Sequence, residues 1–538
     1  MKNYLLNALL LSFLVSNAFA QNQDATNQSI DTIKDFREFK VLDSKYIDNV
    51  ALWAPFNADL NDFSEATYTY LKPLILEQNI PTLQQNIAEG KLTYEKLVLF
   101  YLYRIRKFDR ENKLSLNAVI ALNPTVVAEA REKDKQPKPF LGFFRAFGMP
   151  ILLKDNINAS GMPTTAGAAA LQENITEDAF IVKQLKNNGA LILGKANLSE
   201  WAYFFCGDCP SGYSAMGGQT LNPYGRRIFD TGGSSSGSGV AVAANFCVAA
   251  VGSETSGSIL SPSSQNSVVG LKPTVGLLSR TGIIPISSTL DTPGPMTKNV
   301  IDNAIMLEAM IGFDKDDSAS VKFESESESN TNNTSLKGNR FGAFKGLMED
   351  SLYVEALSIL KNEGAEIIEI EQLQIDLPGF IRLLNLDMKK DLPAYFQKNA
   401  NEVISFKSVE DVVEFNKKDS LKRAPYGQEL FKGIVADKGS LEDLERIKDT
   451  LSANGKIFFD VPMKMHNLDG ILSINNFHAG YAAVAKFPAI TVPMGYQTDG
   501  KPRGLTFIAK PFQEKSLLKW AYFYEKASNK RTAPKNYN

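Results

Sequence analysis

The run Thr231-Gly-Gly-Ser234-Ser-Ser-Gly-Ser-Gly-Val240-Ala-Val-Ala-Ala-Asn-Phe-Cys-Val248-Ala-Ala-Val-Gly252-Ser-Glu-Thr-Ser-Gly-Ser258 opens as a glycine- and serine-rich loop. It continues as a small apolar helix around Val240–Asn245, an apolar strand over Val248–Val251, and a second serine-rich loop. A flexible linker would separate domains, but this run leads straight into core-forming segments. A phosphate loop would need the Gly-Lys-Ser/Thr ending that is missing here. Gly233-Ser-Ser235-Ser-Gly237 matches the G-x-S-x-G nucleophile elbow, with both histidines downstream. The elbow needs a strand immediately before it, and Asn222-Pro-Tyr-Gly-Arg-Arg-Ile-Phe-Asp-Thr is polar and loop-like instead. What remains is an active-site loop whose glycines permit backbone geometry that bulkier residues would resist.

Outward from this run, residues 148–300 alternate short apolar runs with helix-like stretches. Ile151–Leu153, Ala190–Leu193 and Val248–Val251 read as strands, and Phe180–Lys186 and Val240–Asn245 as helices. Such alternation predicts an α/β fold. Upstream, residues 70–135 read as largely helical: Leu83 and Ile87, then Leu97, Tyr101 and Ile105, recur every four residues, with Gly90 between the two stretches. Downstream, Arg340–Phe344, Val354–Asn362 and Ala365–Ile370 form a further strand, helix and strand. Residues 380–465 are charged and mostly helical, 487–509 are strand-like, and a helix over Glu514–Ala527 ends the domain. Residues 314–339, with Glu-Ser-Glu-Ser-Glu-Ser-Asn-Thr-Asn-Asn-Thr-Ser, are too polar to repay ordering and are expected to be a disordered insertion.

The chain has 538 residues, 44% hydrophobic and 22% charged, enough for a large core. A net charge of −2 gives no electrostatic footprint for nucleic acid. Lys2, the apolar run Leu5–Val15 and Ala18-Phe19-Ala20 read as a signal peptide over 1–20, so the mature, exported chain is expected to begin near Gln21 and to have no membrane segment. Residues 21–65 then form an N-terminal extension, 66–530 the main domain and 531–538 a tail.

The chemistry is constrained by the histidine count, which is only two, His466 and His478. Serine chemistry then needs another base, and a lysine in an apolar setting can serve. Lys154 follows Pro150-Ile-Leu-Leu, eighty residues before Ser234, and Ser234 precedes Ser258 by twenty-four. Burial there would disfavour its charged form, and a shift of roughly 3 pKa units costs about 4 kcal/mol. The competing reading is a salt bridge from Lys154 to Asp155 or another acid. The Gly252–Gly257 turn after an apolar strand can aim successive amides at one point, each worth roughly 3–4 kcal/mol to a forming oxyanion. Alone, it is equally an ordinary strand-to-helix turn.

Taken together, these segments resemble the amidase signature family. The resemblance is carried by Gly-Lys195-Ala-Asn-Leu-Ser-Glu-Trp, Ser-Ala-Met-Gly-Gly-Gln219-Thr-Leu-Asn-Pro, the Gly/Ser run, Gly-Ser-Glu-Thr-Ser-Gly-Ser258, Val-Gly-Leu-Lys272-Pro-Thr-Val-Gly-Leu and Asp291-Thr-Pro-Gly-Pro-Met-Thr. It is nearest to secreted bacterial peptide amidases. It implies a single large α/β domain with a mixed sheet covered by helices on both faces. It also implies a triad of Lys154, Ser234 behind a cis peptide bond, and the nucleophile Ser258, with the amides of Thr255, Ser256 and Gly257 as oxyanion hole and no metal or cofactor. The expected reaction is hydrolysis of a carboxamide in a C-terminally amidated peptide or small amide. The same family includes the amide-liberating A subunit of glutamyl-tRNA amidotransferase, and an inactive amide-binding protein could share the scaffold. Ser256 stands where many members carry glycine and Thr231 where many carry proline. Cys206-Gly-Asp-Cys209 is readable as a local disulfide or as two structural thiols. Cys247 reads as buried, the histidines carry no assigned role, and Ser516-Leu-Leu-Lys519 lacks companion motifs.

Overall fold

The computed structural model describes residues 39–110, 113–137, 146–322 and 335–538. The expected signal peptide lies outside the described residues, as does the centre of the segment 314–339. Eleven strands form one mixed sheet: β1 (Val119–Leu122), β2 (Pro150–Lys154), β3 (Leu191–Ala196), β6 (Ala249–Glu254), β7 (Val269–Lys272), β8 (Thr292–Thr297), β9 (Arg340–Phe344), β10 (Glu366–Ile370), β11 (Gly470–Ile474), β12 (Ala489–Tyr496) and β13 (Pro502–Ile508). The hairpin β4 (Tyr213–Ser214) and β5 (Gly218–Gln219) stands apart. The strand order is β1-β3-β2-β6-β8-β7-β12-β13-β11-β9-β10.

The sheet is parallel through β3-β2-β6 and through β11-β9-β10 and antiparallel through its centre, and the edge strand β1 meets β3 antiparallel. β2 pairs in parallel with β3 and β6, and β9 with β10 and β11. Parallel strands need crossovers, which the helices Phe180–Asn187, Ser236–Ala243 and Ser351–Asn362 supply. Every residue of β2, β3 and β6 is buried, as expected for strands covered on both faces. The helix Ser236–Ala243 is buried on all sides, which explains its unbroken small and apolar composition.

Four strands of the sheet, β1, β7, β8 and β11, were not named in the sequence reading. β1 lies within the region read as helical; its four residues are too few to set a period, and Asn123 and Pro124 end it. β8 carries Pro293 and Pro295, residues that argue against a central strand. It is tolerated because β7 meets β8 only at Thr297 and Met296.

The termini of the described chain are built into the same core. Trp53, Phe56, Leu60 and Phe63, from the segment set apart as an extension, are buried. In the tail, Arg531 pairs with Glu77 at 2.9 Å and the Tyr537 hydroxyl donates to the Leu114 carbonyl at 2.7 Å. The flanks of the expected insertion also pack. Asp314 accepts from the Ser279 hydroxyl at 2.6 Å, Asp317 pairs with Arg280 at 2.5 Å, and Leu336 is fully buried. A separate helical layer, from Phe380 to His466, closes over one side. It buries Phe431 against Trp201 and Phe205 at ring distances of 5.2 and 5.1 Å. Among the described residues no helix is long and apolar enough to cross a membrane.

Candidate active site

Parallel pairing of β2 with β6, with Leu153 opposite Val251, brings the carboxyl ends of both strands to one place. Crevices at such ends are where open α/β sheets bind ligands. Lys154 is the last residue of β2 and is fully buried. Its Nζ lies 2.7 Å from Ser234 Oγ, 3.0 Å from the Ser253 carbonyl and 2.9 Å from Ser253 Oγ. A neutral amine has two N–H donors and one lone pair, and these three contacts fit that inventory: the carbonyl can only accept, and a hydroxyl can donate back. Burial lowers the Lys154 pKa to about 7, although Asp291 and Glu254 pull it upward. The salt bridge weighed for Lys154 goes elsewhere: Asp155 pairs with buried Lys195 at 3.1 Å, and Lys195 also donates to Thr164 at 2.8 Å.

The Gly/Ser run is part of the core and wraps around this lysine. The Gly233–Ser234 peptide is cis, as the resemblance implies. The Ser234 carbonyl accepts from the Ser199 amide at 3.0 Å. Ser235 ties the run to β6: its hydroxyl donates to the Ser253 carbonyl at 3.0 Å and accepts from the Ser253 amide at 3.2 Å. Helix begins at Ser236, four residues before the apolar stretch. Gly237 is required there, since a Cβ would sit 2.4 Å from the Asn197 carbonyl oxygen and 2.5 Å from that of Ala118.

Ser258 is 8% exposed, and its carbonyl accepts from the Ser235 amide at 3.1 Å. Among the described residues, the Ser258 and Ser234 hydroxyls are not hydrogen-bonded to each other; a side-chain rotation or a bound substrate would have to close that step. Two carboxylates flank the loop that carries Ser258. Glu254 accepts from the Ile259 and Leu260 amides at 2.7 and 3.0 Å, and Asp291 accepts from the Thr255 hydroxyl at 2.6 Å. Gly257 adopts φ +86°, and a Cβ there would meet the Asn476 amide nitrogen at 2.6 Å. Among the described residues, the amides of Thr255, Ser256 and Gly257 make no hydrogen bond within the protein. The arrangement therefore offers a buried amine in contact with the Ser234 hydroxyl, and unspent backbone donors on the loop that carries Ser258.

The family model described as Amidase matches residues 96–428. The chain belongs to the amidase signature family. It is thus a hydrolase of amide carbon–nitrogen bonds. The enzyme is similar to a probable amidase of Arabidopsis thaliana, 36% identical over 487 residues, covering 86% of this chain and 92% of that one. Among solved structures, an amidase family protein from Bacillus anthracis superposes with a TM-score of 0.84 at 36% identity, covering 92% of this chain and 99% of that one. Native peptide amidase from Stenotrophomonas maltophilia superposes at 0.79, also 36% identical, covering 85% and 98%. These likenesses agree with the single mixed-sheet α/β domain expected from the sequence.

Beside the amidase's buried lysine is a small cavity lined by Asn156, Ala202, Ser253, Thr255, Ile284 and Asp291. Arg280, Ile283 and Asp291 also line a wider cleft of about 650 Å³, which extends to Asp391, Tyr395 and Lys398. Ser253 and Asn156 were given no role by sequence, and Ser235 and Asp291 entered there only as members of motifs. Asn156 donates to Ser253 Oγ at 2.9 Å, so the serine that braces Lys154 is itself braced. The position of Ser253 between two conspicuous serines is the one signal that could have drawn attention to it.

The remaining candidates have structural roles. His478 is buried, with Nδ1 2.6 Å from Ser473 Oγ and its ring stacked on Phe344 at 4.3 Å, and burial lowers its pKa to about 4. Cys206 and Cys209 form a disulfide. Cys247 is a free, buried thiol whose pKa burial pushes up to about 12. Thr231, at a common proline position, uses its carbonyl to accept from Asn266 at 2.8 Å.

Proposed function

We propose that the enzyme cleaves a carboxamide C–N bond through an acyl-enzyme on Ser258, using Ser234 and Lys154 as its proton path. As Ser258 Oγ bonds to the amide carbonyl carbon, its proton passes to Ser234 while the Ser234 proton passes to neutral Lys154. The carbonyl oxygen becomes an oxyanion facing the Thr255, Ser256 and Gly257 amides. The proton then returns along the same path to the departing nitrogen, the C–N bond breaks, and ammonia or an amine leaves. Water attacks the resulting ester by the reverse relay, releasing the acid and restoring Ser258.

The observation that carries this reading is the 2.7 Å contact between Lys154 Nζ and Ser234 Oγ, made by a lysine that burial keeps near pKa 7. An amine poised near the working pH can both take and return a proton. The favoured substrate is a C-terminally amidated peptide or a small amide. Support comes from the likeness to a peptide amidase. Export of the chain is proposed on the strength of residues 1–20, and N-terminal sequencing of the mature protein would test it.

Ammonia release should be measured across amidated dipeptides and simple carboxamides, with Ser258→Ala as control. Release by the isolated wild-type protein, lost in S258A, is the expected result. Full turnover by S258A would overturn the nucleophile, and release only from glutamine in the presence of a partner would favour an amidotransferase subunit.

A further inference from the structure

We infer that Asp291 is a positioning residue for the oxyanion-binding loop, acting through the Thr255 hydroxyl. This rests on the acyl-enzyme reading above and deepens it. β8 pairs with β6 so that Thr292 faces Glu254, which sets Asp291 opposite Thr255 at the point where β6 opens into the nucleophile loop. One carboxylate oxygen of Asp291 accepts from the Thr255 hydroxyl at 2.6 Å. The other accepts from the amides of Ile286 and Ser287 at 2.8 and 2.9 Å. Both oxygens are therefore used, and the nucleophile loop is anchored to a turn on a separate segment.

On the far side of Ser258, Glu254 holds the amides of Ile259 and Leu260. The loop 255–258 is thus pinned at both ends by carboxylates while its own amides are left unspent. Oxyanion donors act through fixed placement, because reorienting them during reaction would cost part of what they contribute. Loss of the Thr255 tether should therefore slow acylation without weakening ground-state binding.

Asp291 also faces charge. Lys154 on β2 and Arg280 on the loop before Thr281 lie near it, Glu254 on β6 acts on the same lysine, and Asp317 and Asp391 surround Arg280. Its anionic form holds Lys154 toward the protonated state.

The test compares T255V, T255S and D291N with wild type in two assays: ammonia release from an amidated dipeptide, and the second-order rate of fluorophosphonate labelling. T255V should lose roughly 10- to 100-fold in kcat and in labelling rate, with KM within about twofold of wild type and the pH limb unmoved. T255S, which keeps the hydroxyl, should recover most of that loss. D291N should show a similar loss. Wild-type rates in T255V, or a loss confined to KM, would overturn the inference. If D291N does not fold, T255V and T255S decide the matter, since they exchange only a hydroxyl and a methyl. S258A separates the two levels: an active S258A sinks the acyl-enzyme reading, whereas an inactive S258A beside a wild-type T255V sinks only this inference.

Discussion

Replacing Lys154 with methionine should make the folded protein less sensitive to pH, and the size of that change follows from the geometry. Burial moves the lysine from its ordinary 10.5 to about 7. Between those values the unfolded chain carries one more proton than the folded one, so wild-type stability rises with pH by up to about 1.4 kcal/mol per unit. The cost of burying this amine is fully present below pH 7 and gone above 10.5. It amounts to about 4 kcal/mol at pH 7 and about 2 kcal/mol at pH 9. Methionine escapes that cost but forfeits the contacts to Ser234 and Ser253, roughly 1 kcal/mol each and independent of pH. The stability of Lys154→Met relative to wild type should therefore fall by about 2 kcal/mol between pH 7 and pH 9. Urea unfolding followed by tryptophan fluorescence at both pH values reads this directly, and every other titrating group cancels in the difference. An equal difference at the two pH values would mean that Lys154 is charged when folded, and the reasoning about its role as a base would fail.

Other outcomes follow from the same contacts. Ser234→Ala should lower kcat by roughly 10²- to 10⁴-fold while leaving the fold intact, as measured by ammonia release and circular dichroism. In wild type, kcat/KM should rise through a limb near pH 7 as Lys154 loses its proton, and a flat profile from pH 5 to 9 would contradict that assignment. Lys195→Met should strand the buried carboxylate of Asp155 and lower unfolding free energy by about 3–5 kcal/mol, read by urea unfolding at neutral pH.

Much of the candidate site was legible because the proposed chemistry needs unusual sequence. A lysine after an uninterrupted apolar strand, and serines embedded among glycines, are improbable in an ordinary core, so Lys154, Ser234 and Ser258 stand out. The parallel parts of the sheet were visible as strand–helix–strand alternation around β2, β3 and β6 and again around β9 and β10. The antiparallel centre was less so, since β8 hides behind two prolines whose missing N–H groups matter only where a ladder partner stands. Nor could local pattern reveal Asp291 or Ser253. Each acts across a sheet register, Asp291 opposite Thr255 and Ser253 beside the end of β2, and register is a tertiary fact. The flanks 314–322 were misjudged as too polar to order because Asp314 and Asp317 find their partners, Ser279 and Arg280, about thirty-five residues upstream.

The most direct measurement is the site and rate of covalent capture by a fluorophosphonate, mapped by peptide mass spectrometry in wild type and in Lys154→Ala. A single adduct on Ser258 in wild type, formed at least ~100-fold more slowly in K154A, is the expected result. An adduct on any other serine, or K154A labelling as fast as wild type, would contradict a nucleophile activated by that lysine.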